Sequence, residues 1–135
     1  MNSTRTRSHS RSTFLSLAIV AALMTSASTG AAMRHLKLLR SFPAADTTLT
    51  SSPDAVRLWF SEATELPATK IEVKTQTGAA VMTAAPTRTA DKGAPAVAMF
   101  KSPLTAGRYT VTWKAMSKDG HVVNGTIAFT VGGTK

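Results

Sequence analysis

Gly107-Arg108-Tyr109-Thr110-Val111-Thr112-Trp113-Lys114-Ala115-Met116 puts Tyr109, Val111, Trp113 and Ala115 on one parity and Thr110, Thr112 and Lys114 on the other. Successive side chains of an extended chain point to opposite faces, so this spacing predicts a half-buried antiparallel strand. Residues 126–131 repeat the pattern with Ile127, Phe129 and Val131. Upstream, Val56, Leu58 and Phe60 alternate with Arg57, Trp59 and Ser61, and Ile71 and Val73 alternate with Lys70, Glu72 and Lys74. Shorter strands are predicted over 79–83 and 96–100, and an opening strand over 36–41. Turn signals such as Thr50-Ser51-Ser52-Pro53-Asp54 separate them, and helical periodicity is hard to find after residue 35. The fold class is therefore all-β: an immunoglobulin-like, barrel-like Greek-key sandwich of about seven strands. Trp113, in a central strand, reads as core. Trp59 lies on the opposite parity from its apolar neighbours, which leaves it under a loop, over an exposed face or near a site.

The first 32 residues read as an export signal rather than as fold. Arg5, Arg7 and Arg11 precede the apolar run 14–24, and small residues follow through Ala32. That run is shorter than the roughly 20 apolar residues a bilayer span requires. Gly30-Ala31-Ala32 suits peptidase cleavage, leaving residues 33–135 as one domain, with no membrane insertion afterwards. A domain of this size buries a core without staples. The chain has no cysteine, which excludes disulfides, thiolate metal sites and cysteine nucleophiles. Of 16 basic residues, three leave with the signal, so 13 face 7 acidic ones, a formal +6. They are spread singly along the chain. A mildly basic solvated surface accounts for them, and nucleic acid is not an expected partner.

The chemistry concentrates in Lys118-Asp119-Gly120-His121-Val122-Val123-Asn124-Gly125, a polar turn between two alternating segments. In an extended segment residues i and i+2 point the same way, so Asp119 and His121 can converge on one ion while Gly120 lets the backbone bend. Two ligands alone make a poor site, and a turn carboxylate beside a solvated histidine fits the same residues. Apart from His9, in the signal segment, the other histidine is His35, close to the expected start of the mature chain.

The run from Ser102 to Val131 resembles the C-terminal half of the CopC family of periplasmic copper-resistance proteins. His35-Leu36-Lys37-Leu38-Leu39-Arg40-Ser41-Phe42-Pro43 resembles that family's opening segment, and Leu58-Trp59-Phe60-Ser61-Glu62 its second strand. The three motifs occur in the family's order and span the mature domain. The resemblance implies one Cu(II) ion held by the chain-opening histidine, through amine and ring, and by the aspartate and histidine of the Asp-x-His turn. Here those are His35, Asp119 and His121, with Glu62 as a fourth group at or beside the ion. Imidazole, amine and carboxylate donors suit tetragonal Cu(II).

Some relatives carry a methionine-rich Cu(I) site. Met82, Met99 and Met116 lie far apart, in or beside predicted strands, and read as packing residues, so a Cu(I) site is not expected. Cleavage after Ala32 sets Met33-Arg34 before His35 and creates an amine-x-x-histidine terminus. That terminus can itself wrap Cu(II), whereas trimming to His35 restores the family arrangement. The resemblance further implies a periplasmic carrier that sequesters copper and hands it to a CopD-like inner-membrane transporter; a monomer is expected. A second reading is an immunoglobulin-like interaction module with a degenerate metal site. A copper-dependent oxygen-activating enzyme is the third, and is not expected: such enzymes use an additional histidine, and an aspartate ligand suits storage.

Overall fold

The computed structural model describes residues 35–133. The expected signal segment, His9 and Met33-Arg34 lie outside them. Eight strands follow in order: β1 Leu38–Phe42, β2 Thr48–Leu49, β3 Ala55–Phe60, β4 Lys70–Thr75, β5 Ala80–Val81, β6 Ala96–Met99, β7 Gly107–Met116 and β8 Val122–Val131. A single 3-10 turn, Leu66–Ala68, precedes β4. One sheet has the order β1-β3-β6 and the other β2-β8-β7-β4-β5. All pairings between these strands are antiparallel except that of β2 with β8. No helix among the described residues is long and apolar enough to cross a membrane.

The sandwich core is made by the alternating residues. Val56 and Leu58 of β3, Val73 of β4, Val111 of β7 and Phe129 of β8 are fully or almost fully buried. The rings of Tyr109 and Phe129 stack at 5.5 Å, and Phe60 meets Trp113 edge-on at 5.4 Å. Trp113 is 7% exposed, as its central strand position predicts. Trp59 stands on the outer side of its sheet, with the Arg40 guanidinium 3.9 Å above its ring. That contact gives an aromatic surface on an exposed face a cationic cover.

Several expectations need correcting. The described residues form eight strands, one beyond the about seven expected, because β2 was not foreseen. It is two residues long and pairs in parallel with Thr130 and Val131, too short for any alternation to show. β8 begins at Val122 rather than at residue 126, although Asn124 and Gly125 carry turn chemistry. The reason is Trp113. It sits directly opposite Gly125 in the register, and a Cβ on Gly125 would lie 2.6 Å from Trp113 Cζ2. The glycine marks close approach by a neighbouring ring, not a turn.

The methionine reading also changes. Met82 is 64% exposed and Met99 45% exposed, so neither is a packing residue. Ala96 and Ala98 take the buried parity of β6 and leave Met99 on the outer one. Met82 follows the two-residue edge strand β5, beyond the part of it that touches the core. Met116 is half-buried.

Gly125→Ala tests the packing account. Alanine is ordinarily better than glycine in a strand, yet here displacement of the indole should cost about 1–3 kcal/mol in urea unfolding, as overpacking does. A neutral or stabilising effect would contradict the tight fit.

Candidate metal centre

β7 and β8 pair over ten residues, from Gly107 opposite Val131 to Met116 opposite Val122. The ladder continues one step, because the Ser117 N–H donates to the His121 carbonyl at 2.9 Å. Gly120 N–H then donates to the Ser117 carbonyl at 3.0 Å. Gly120 adopts φ +87°, a backbone region that L side chains rarely enter. The chain thus turns tightly at the tip of its longest hairpin, and Asp119 and His121 stand out on that tip.

Their side chains meet. His121 Nδ1 lies 2.7 Å from Asp119 Oδ2, with the two side chains 55% and 62% exposed respectively. The Ser117 hydroxyl donates a very short hydrogen bond to Asp119 Oδ1, and the His121 backbone N–H approaches the same oxygen at 3.4 Å. Because the ionised carboxylate can only accept, the imidazole donates Nδ1–H to it. A metal replacing that proton would find nitrogen and oxygen already adjacent, with a rotation of the ring or the carboxylate needed to turn both toward one ion.

These hydrogen bonds act on Asp119's charge. The Ser117 hydroxyl, and after it the His121 ring, lower its pKa to about 2. The folded value lies below the unfolded one, so this contribution to stability is complete above the unfolded carboxylate pKa, about 3.9. It is lost as pH falls through the folded value. At neutral pH the group is an anion available to a cation.

The other two expected residues lie on a neighbouring segment. The His35 carbonyl accepts from the Ser61 hydroxyl at 3.4 Å, and Ser61 N–H donates to the Lys37 carbonyl at 2.9 Å. Those bonds fasten the opening of the domain to the end of β3. Glu62 follows, exposed to solvent. Thr64 then pairs with Ser117 in an isolated bridge, and Glu65 N–H donates to the Met116 carbonyl at 2.8 Å. Two residues separate Ser61 from Thr64, a backbone path of at most about 10 Å. His35, Glu62, Asp119 and His121 therefore occupy one end of the sandwich. Among the described residues, no three His, Cys, Asp or Glu side chains close on a common point; Asp119 and His121 meet, and His35 and Glu62 stand on the adjoining chain.

Sequence reasoning missed Ser117. Its parity with Asp119 and His121 was visible, but a serine at a strand end has many uses. Ser117→Ala should raise the Asp119 pKa from about 2 toward the ordinary carboxylate value of about 3.9, followed by carbon-detected NMR of the side-chain carboxyl. An unchanged midpoint would show that the hydroxyl does not hold the charge.

Comparison with known proteins gives this geometry a family. The model of the CopC domain matches residues 38–132. The chain is 34% identical to copper resistance protein C of Xanthomonas campestris pv. juglandis over 127 residues, covering 90% of this chain and 96% of that protein. The crystal structure of CopC from Methylosinus trichosporium OB3b is similar at a TM-score of 0.67 and 30% identity, across 75% of this chain and 97% of the other. That of PcoC, a methionine-rich copper resistance protein from Escherichia coli, gives 0.64 and 29%, across 72% and 98%. With its sandwich, its Asp-x-His hairpin tip and its opening histidine segment in the expected order, the chain belongs to the CopC family.

Proposed function

We propose that this protein binds one Cu(II) ion in the periplasm, through Asp119, His121 and His35 with Glu62 beside them, and serves copper resistance by sequestering the metal. The observation that carries the reading is the Asp119–His121 pair, an anion and an imidazole 2.7 Å apart on an exposed hairpin tip. The His35 segment is fastened to the same end of the fold by Ser61. The names of the relatives, copper resistance protein C and PcoC, supply the biological setting. Delivery to a CopD-like inner-membrane transporter belongs to the same reading and rests on the resemblance alone.

The donor set favours Cu(II) over Cu(I), since nitrogen and carboxylate oxygen are borderline-to-hard ligands and thioethers are absent from the motif. Asp119 is held well below the ordinary carboxylate range, at about 2, so acid should release copper first by protonating nitrogen donors rather than this carboxylate. Exposure of the pair suits uptake and transfer, and no catalytic role is assigned to it.

The test is Cu(II) titration of protein secreted by its native host, with the intact mass recorded to fix the first residue. One copper per chain is expected. Asp119→Asn and His121→Ala should each weaken binding by more than about 100-fold, a ligand loss exceeding the usual effect of a supporting residue. Affinity should fall from pH 7 to pH 5, where imidazoles take up protons. Full affinity in both variants, or the same affinity at both pH values, would contradict the assignment. No uptake by the native chain would leave the interaction-module reading.

A further inference from the structure

The described structure has three buried polar side chains, Thr64, Thr69 and Ser117, and all three belong to one node beneath the hairpin tip. Thr64 bridges to Ser117, the Thr69 hydroxyl lies 3.2 Å from that of Thr64, and it donates to the Glu65 carbonyl at 2.9 Å. A fourth polar group enters this node from far along the chain. Arg88, on the loop between β5 and β6, donates from Nη1 to the Thr64 carbonyl at 2.9 Å and from Nη2 to the Thr64 hydroxyl at 2.5 Å. Its Nε is buried with no acceptor among the described residues.

This arrangement is poor as a source of stability alone. The half-buried guanidinium is partly desolvated, its Nε is left unsatisfied, and no carboxylate among the described residues comes within ion-pair distance of it, Glu65 attracting it only from further off. A charge so placed loses hydration, and the loss is offset only by good hydrogen bonds. Nor is Arg88 needed to fasten its own loop. The preceding residue, Thr87, already exchanges both backbone hydrogen bonds with Val97 of β6, at 2.9 and 2.8 Å. What the guanidinium does fix is Thr64. Its planar fork grips carbonyl and hydroxyl of a single residue, a task for which a lysine ammonium has the wrong shape.

We infer that Arg88 is a positioning residue of the metal centre. By clamping Thr64 it holds the bridge to Ser117, and through Ser117 the hydroxyl that aims the Asp119 carboxylate. It also fixes the 61–65 segment that carries Glu62 and faces the His35 opening. The role of Arg88 at the metal rests on the function proposed above; its mechanical hold on Ser117 does not.

Arg88→Met keeps the alkyl stem and removes the fork, and Arg88→Lys keeps the charge. In the metal-free full-length mature protein, amide hydrogen exchange at Glu65 and Ser117 should speed up at least about tenfold in Arg88→Met, while Val111 and Phe129 in the centre of the sandwich keep their protection. In the one-copper protein, Cu(II) affinity should fall roughly 10- to 100-fold, the usual effect of losing a residue that supports a ligand. The continuous-wave EPR hyperfine pattern should change with it. Arg88→Lys should fail to restore either. If Arg88→Met does not fold, Thr64→Val removes only the hydroxyl acceptor and should give the same local exchange effect with the fold retained. Unchanged protection at Glu65 and Ser117 with an unchanged EPR spectrum would overturn the inference. So would a uniform loss of protection through the core, which would make Arg88 merely structural. A native chain that takes up no copper would overturn the proposed function and the metal half of the inference, and the exchange data would still decide whether Arg88 positions Ser117.

Discussion

The ten-pair ladder between β7 and β8 is the constraint on which the rest depends. It lies at the centre of the five-stranded sheet, supplies Tyr109, Val111, Trp113, Phe129 and Val131 to the core, and ends in the turn that carries Asp119 and His121. A slip of one residue would exchange the buried and exposed faces of a strand. Here the register is pinned by shape: Trp113 fills the space that Gly125 leaves empty. Because the ladder runs without a break into Ser117 and His121, fixing the core also fixes where the carboxylate and imidazole emerge. Folding and function share one hairpin.

How much of this was legible follows from the range of each interaction. The long strands were readable because alternation is local and both long strands repeat it several times. β2 was not, since two residues pairing in parallel with the end of β8 carry no pattern. Met82 and Met99 were misread for a related reason: an apolar residue beside a strand belongs to the core only on the right parity, and β5 and β6 are too short to declare it. Gly125 misled because a glycine that admits a tryptophan looks, in one dimension, like a glycine that makes a turn.

The site divides the same way. Asp119 and His121 are two residues apart, and their meeting could be read directly. His35 and Glu62 entered through resemblance to a family, and the fold puts their segments at the same end of the sandwich, joined through Ser61 and Thr64. The groups that hold the pair in place were invisible. Ser117 needs the closed hairpin to reach Asp119, and Arg88 reaches Thr64 across 24 residues. Ligands can be short motifs, whereas the residues that orient them are chosen by the tertiary structure.

The assignment of copper to the hairpin tip is most directly tested by pulsed EPR of the natively processed chain carrying one Cu(II). Remote-nitrogen coupling of coordinated imidazole is predicted, with the His121 contribution disappearing in His121→Ala while that of His35 persists. A spectrum with the same nitrogen couplings in both proteins would place the metal elsewhere and contradict the account.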